Sequence, residues 1–181
     1  FGFGQERNTP GLYSYWHDDD LDQHFDPQLT VHISGTGDGA LMDVLRASIV
    51  DFSLVNLRER LASTDAVKLQ EEILAIAPND TKTAVDSYIS KVDTSDIHEK
   101  RTLRNKMCGL LLGPRRNDTQ VSLSGTSGTP WAGKAFPLNR FLIYIASPMY
   151  DKRRYKRHSV GDSTVEVVFD GNISKKFSRL L

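Results

Sequence analysis

Leu29-Thr30-Val31-His32-Ile33-Ser34-Gly35-Thr36-Gly37-Asp38-Gly39-Ala40-Leu41-Met42-Asp43-Val44-Leu45 is the stretch that decides the fold. Val31 and Ile33 alternate in the manner of a strand. A glycine-rich turn follows. Leu41, Val44, Leu45 and Ile49 then recur at helical intervals. A strand that enters a tight turn and leaves through a helix start is the layout of a dinucleotide-binding turn, in which the helix N-terminus faces a pyrophosphate. Gly35, Gly37 and Ala40 stand at the three positions of the G-x-G-x-x-G/A pattern. Gly35 can adopt the dihedrals of the turn. Gly37 has no Cβ to hold phosphate oxygens away. Ala40 is small enough for close packing of helix on sheet. The candidate cofactor-binding residues are Ser34, Gly35, Thr36, Gly37, Asp38, Gly39 and Ala40. A strand-turn-helix connection that binds nothing has the same local signature.

Working outward, residues 29–34 read as a strand and 38–48 as the first helix, with Asp38 suited to the positive end of its dipole. Ile49 to Leu54 reads as a short second strand. Residues 56–107 read as mostly helical. Ser63-Thr64-Asp65 starts one helix, and Leu69, Ile73 and Ile76 form its apolar face. Asn79-Asp80-Thr81 caps the next, with Val85, Tyr88, Ile89 and Val92 on one side. A third helix runs from about Ser95 to Cys108. The block is too long for a plain crossover and reads as a helical insertion between strands. Leu110-Leu111-Leu112 and Val121-Ser122-Leu123 are further apolar runs, separated by Gly113-Pro114 and the polar turn Arg115-Arg116-Asn117-Asp118. Ser124 to Pro130 is a loop of small residues. Pro137 opens a short apolar helix, and Val165 to Phe169 is a strand ending at Asp170-Gly171, its pairing partner expected outside residues 1–181. Residues 1–28 read as a lead-in or linker, and 29–181 as one domain.

Composition narrows the function classes. The 181 residues suffice for one domain with a real core. Lys and Arg number 23 and Asp and Glu number 23, so the overall field favours neither nucleic acid nor an anionic membrane. No apolar run is long enough to span a bilayer, and the first residues show no signal peptide. One cysteine, Cys108, excludes an internal disulfide, and a reducing, cytoplasmic setting is the default. Cys108 itself reads as a small buried hydrophobe. Lys152 to His158 is a basic run around Tyr155, read as a solvated linker or surface turn rather than a nucleic-acid contact. His17-Asp18-Asp19-Asp20 with His24 offers metal-ligand types, but an acidic loop has the same composition, and no metal site is expected. His32 reads as a packed histidine within its strand, and Trp131 as a hydrophobic anchor. Lys134 and Arg140 are either phosphate contacts or surface charges.

On these residues the chain resembles the second, NAD(P)-binding half of flavoproteins with two dinucleotide-binding domains, the superfamily of pyridine-nucleotide oxidoreductases and flavin monooxygenases. Phe1-Gly2-Phe3-Gly4 is similar to the end of the segment that closes their first dinucleotide-binding half. Tyr15-Trp16 and the acids after it resemble the linker. Ser34 to Ala40 resembles the second fingerprint, and Val165 to Gly171 the hairpin before the closing strand. The resemblance implies an α/β, doubly wound, Rossmann-like and mainly parallel sheet, here with an inserted helical subdomain. It implies NAD or NADP as cofactor and an FAD held by a missing domain or a protein partner. The acid that contacts a ribose in such folds stands about 20 residues past the first glycine. Asp51 is the candidate here, although it comes early. No catalytic base and no paired cysteines are legible, so the catalytic residues stay unknown. Two rivals remain. Gly35-Thr36-Gly37-Asp38-Gly39 also fits the S-adenosylmethionine loop of methyltransferases, although Ile33 stands where those enzymes carry an acid. A non-catalytic nucleotide-binding or interaction module is the other.

Overall fold

The computed structural model describes residues 29–35, 37–125, 129, 131, 134–160, 165–169, 174–177 and 179–180. The lead-in 1–28, with the Phe1–Gly4 segment, Tyr15-Trp16, and the His17–Asp20 and His24 groups, lies outside them. So do Thr36, most of the small-residue loop, and the Asp170-Gly171 turn.

The chain is an α/β fold. Strand β1 spans Leu29–Ser34 and helix α1 spans Asp38–Ser48, both as the local pattern indicates. Four helices follow: α2 (Leu54–Leu61), α3 (Thr64–Leu74), α4 (Thr81–Thr94) and α5 (Ile97–Leu111). The chain then re-enters the sheet as β2 (Thr119–Gly125). Helix α6 (Pro137–Ala146) leads through a short 3-10 turn to β3 (Asp151–Val160), β4 (Val165–Phe169), β5 (Ser174–Phe177) and β6 (Arg179–Leu180). Among the described residues the sheet order is β5-β4-β3-β2-β1-β6. Strands β3, β2, β1 and β6 are parallel, and β4 and β5 add antiparallel at one end.

Val31 and Ile33 of β1 and Val121 and Leu123 of β2 are buried and share a core with α1 and α6. The alternate residues are polar yet also buried: His32, Ser122 and Ser124 are each at most 3% exposed. Ser124 Oγ lies 2.9 Å from His32 Nε2, and the Phe177 ring packs at 4.9 Å from the imidazole. His32 is thus a packed histidine. Cys108 is buried beside Met149 Sδ, and burial pushes its thiol up to about 11.

Three local expectations are corrected, and a fourth is refined. Ile49 to Leu54 is not a strand: only Ile49 bridges, to Arg115, and Asp51 has φ 51°, which breaks an extended run. Ser53 then caps α2 by accepting from the Asn56 amide at 3.1 Å. The polar turn Arg115 to Asp118 is exposed at Arg115 and Asn117 but buried at Arg116 and Asp118. Arg116 and Asp118 form a two-pronged pair at 2.9 and 2.7 Å, at side-chain exposures of 6% and 5%. The basic run Lys152 to His158 is not a linker but part of strand β3, with an irregularity between Tyr155 and Arg157. Val165 to Phe169 finds both its neighbours within the chain, β3 and β5.

Candidate functional site

The glycine turn joins the carboxyl end of β1 to the amino end of α1. Gly35 has φ 119°, a conformation that side chains of L-residues rarely adopt, and its amide donates to the Ser124 carbonyl at 2.8 Å. Space does not explain this glycine, because an added Cβ would sit 3.6 Å from Ala40 Cβ, an ordinary contact. The backbone angle explains it. Gly37 is the opposite case. Its dihedrals of −80° and 170° suit any residue, and a Cβ there would meet nothing within 4 Å. The protein's own packing therefore does not require a glycine at 37. The space in front of it is open.

Gly37 is also the N-cap of α1, and no side chain caps that helix. The first amides of an α-helix have no intrahelical partner and carry the positive end of the dipole. In contrast, Ser53, Ser63, Asp80 and Asp96 each accept an amide at the starts of α2, α3, α4 and α5. Ser34 is half-buried at the end of β1, and Gly39 and Ala40 are half-buried in the first turn of α1.

Asp38 is exposed, and its carboxylate turns away from the helix it opens. Its Oδ1 accepts from the Phe136 amide and from Asn139 Nδ2, both at 2.7 Å. Phe136 is the N-cap of α6 and cannot cap with its own side chain. Asp38 therefore serves as the cap of α6 and holds the amino ends of α1 and α6 together. Sequence reasoning suited Asp38 to the dipole of its own helix. The partner lies 98 positions away. The signal that could have pointed to it is the absence of Ser, Thr, Asn or Asp before Pro137.

Asp51 is not brought to the turn. It follows the carboxyl end of α1, and the 11-residue helix puts it about 16 Å from the turn. It lines a cavity of about 280 Å³ with Asn56, Arg60 and Pro114.

A larger cleft of about 720 Å³ lies between α4 and the start of α6, lined in part by Lys82, Asp86, Asp93, Trp131, Lys134 and Arg140. Lys134 is exposed. Arg140 is buried and held by Asp86 and by the Trp131 carbonyl. Trp131 is an anchor, edge-on to Tyr144 at 5.3 Å. Beside it, Asp93 accepts from Lys100 at 2.6 Å, Arg104 at 2.9 Å and Tyr144 at 3.1 Å. Burial alone would raise the Asp93 carboxyl. The Lys100 and Tyr144 hydrogen bonds and the Lys100 and Arg104 charges outweigh it and hold the group below its usual range. Burial pushes Tyr144 up to about 12, so its hydroxyl stays a donor. This cluster ties the helical insertion to α6.

Among the described residues no group of three His, Cys, Asp or Glu side chains comes together to hold a metal, and no helix is long and apolar enough to cross a membrane. Comparisons with family models, with curated proteins and with solved structures find no match.

Proposed function

We propose that the chain is a nucleotide-binding domain that holds the pyrophosphate of NAD(P)H on the Gly35–Ala40 turn, as part of an FAD-dependent oxidoreductase. The observation that carries the reading is Gly37: an uncapped helix start, at the carboxyl end of a parallel strand, with open space where a Cβ would stand. Two further features support it. β1 lies between β2, to which the chain crosses through α1 and the insertion, and β6, to which it returns at the end. In open α/β sheets that reversal of direction is where ligands bind, at the carboxyl ends of the strands. The parallel order β3-β2-β1-β6 with an antiparallel pair appended at β3 also suits a doubly wound, Rossmann-like sheet. The turn's amides and the α1 dipole hold the diphosphate, while the Asp38 carboxylate beside them is engaged by the Phe136 amide and Asn139. The nicotinamide supplies the hydride, which passes to a flavin held elsewhere.

A non-catalytic nucleotide-binding module is the second reading. It is favoured by one observation: the described residues around the turn offer backbone, hydroxyls and one already bonded carboxylate, but no general base. Thermal melts of the chain with NADH, NADPH, FAD and S-adenosylmethionine separate the readings. A shift with the nicotinamide dinucleotides, lost in Gly37→Val, is expected. A shift with S-adenosylmethionine alone would move the chain to the methyltransferases, and no shift with any of them would remove the site.

A further inference from the structure

By sequence, Lys134 and Arg140 are equal candidates for an anion contact, and the structure separates them. Lys134 is exposed, whereas the Arg140 side chain is only 6% exposed, and both line the cleft of about 720 Å³ between α4 and α6. A cleft of that volume falls within the range of small-molecule sites. Ile89 and Trp131 give it an apolar wall.

The charges around the cleft do not cancel. Asp86 accepts from Lys82 on Oδ2 at 3.1 Å and from Arg140 on Oδ1. Asp93 is shared by Lys100, Arg104 and Tyr144. Both carboxylates are therefore engaged. Lys82, Lys100, Arg104, Lys134 and Arg140 stand against Asp86 and Asp93, which leaves a cationic surplus. Lys134 makes no ion pair or hydrogen bond among the described residues. Arg140 is fixed from two sides, because Nε donates to the Trp131 carbonyl and Nη2 to Asp86. Its Nη1 takes no hydrogen bond among the described residues and is not sealed off by the protein. A guanidinium locked on two sides keeps one donor available, and its rigidity lowers the cost of ordering it around a ligand.

We propose that this cleft is a second ligand site, for a small organic anion whose carboxylate or phosphate meets Nη1 of Arg140. The exposed Lys82 and Lys134 add charge, and the apolar body of the ligand lies along Ile89 and Trp131. Charge-assisted bonds of this kind favour an oxyanion over a neutral molecule of the same shape. The inference does not rest on the pyrophosphate reading of the turn. The two sites share the start of α6, where Asn139 binds Asp38 and Arg140 lines the cleft.

The test is a ligand-observed NMR titration of the full chain with benzoate, phenyl phosphate and neutral benzamide. The two anions should bind in the roughly millimolar range, and benzamide at least about tenfold more weakly. The tighter anion tells whether the site takes a carboxylate or a phosphate. Lys82→Ala/Lys134→Ala alters exposed side chains only and should weaken both anions about three- to tenfold with little change in the melt. Arg140→Lys keeps the charge but loses the fork, and should weaken them further; its melt is recorded alongside because the residue is buried. Gly37→Val, which obstructs the turn, should leave the anion affinities unchanged. Benzamide bound as well as benzoate, no binding of either anion, or equal affinities in the double lysine variant would overturn the inference. Loss of the anions in Gly37→Val would place them on the turn and overturn it as well. Failure of the chain to bind dinucleotides while the anions still bind the cleft would remove the turn reading alone.

Discussion

The two edges of the sheet treat polar groups in opposite ways. At the amino edge, Arg116 and Asp118 are buried against each other, and the Asp118 carbonyl receives the Leu29 amide at 2.9 Å. The Arg116 amide donates to Ser48 O, Val50 N donates to Pro114 O, and the Thr119 hydroxyl donates to Ala47 O. That edge is closed by the protein's own groups. At the carboxyl edge, α1 starts on a glycine with no side-chain cap and open space before it. A polar group satisfied inside the fold contributes to stability. A donor row left open at a strand end is available to a ligand. The location proposed for the site rests on this difference rather than on the number of charges at either edge.

The closed edge can be broken with the largest expected effect on folding. Asp118→Ala leaves the Arg116 guanidinium buried without its carboxylate, and removal of one partner of a buried pair costs about 3–5 kcal/mol. Denaturant melts should show a loss of that size, with ligand affinity at the far edge unchanged under conditions where the variant stays folded. A loss below about 1 kcal/mol, the level of a surface pair, would mean that the pair does not close this edge.

The open edge should respond in the reverse pattern. Gly37→Val places a branched side chain in the space a phosphate would use, while the extended backbone there accepts valine. Dinucleotide affinity should fall at least about tenfold, with a stability change under about 1 kcal/mol. Gly35→Ala is the contrasting variant. Its φ of 119° makes any side chain costly, so it should lower stability by about 1–3 kcal/mol. If Gly37→Val unfolded the chain and Gly35→Ala did not, the roles assigned to the two glycines would be reversed.

What the sequence reveals divides along the same lines. β1 and α1 are legible to the residue because alternation, a glycine turn and helical spacing are local signals. Ser63 and Asp80 are legible as caps for the same reason. The amino edge is not legible. Arg115 to Asp118 has the composition of a turn, and the burial of Arg116 brings it to the Arg46 carbonyl of α1, 70 positions away. The basic run from Lys152 also misleads. Its charges suggest solvent, while its place in β3 is set by pairing with β2 and β4. Asp51 illustrates a counting error with a physical cause. The rule that places a ribose acid about 20 residues after the first glycine assumes that a second strand follows the first helix. Here four helices intervene, and Asp51 remains at the wrong end of α1.

Asp38 belongs to both patterns, and its removal should push stability and binding in opposite directions. Asp38→Ala takes the acceptor from the Phe136 amide and from Asn139, at a cost near 1 kcal/mol, as for other lost caps. It also removes a negative charge beside the row of amides proposed for a diphosphate, so dinucleotide affinity should rise by a few-fold at low salt, less as salt screens the charge. Asp38→Asn keeps an acceptor for the Phe136 amide and should recover much of the stability while retaining the gain in affinity. Weaker binding in both variants would instead make the Asp38 link to α6 a requirement for shaping the turn.

The smallest expected effect concerns how the insertion is held to α6. Asp93 is partly exposed, so its bonds to Lys100, Arg104 and Tyr144 are moderated by water, but they hold its carboxyl below the usual range. A depressed folded pKa gives stability that is fully present above the unfolded value, about 3.9, and is lost as pH falls through the folded value. The unaltered protein should therefore exceed Asp93→Asn in melting temperature at neutral pH, and the gap should narrow progressively below about pH 4. Asp118→Asn is the control from the closed edge, because it disturbs the sheet without touching the insertion. A gap for Asp93→Asn that stays constant from neutral pH into acid would show that the ionised carboxylate is not what fastens α4 and α5 to α6. The insertion would then be attached through its apolar face, Tyr88, Ile89 and Val92 among it, as the helical spacing of those residues already allows.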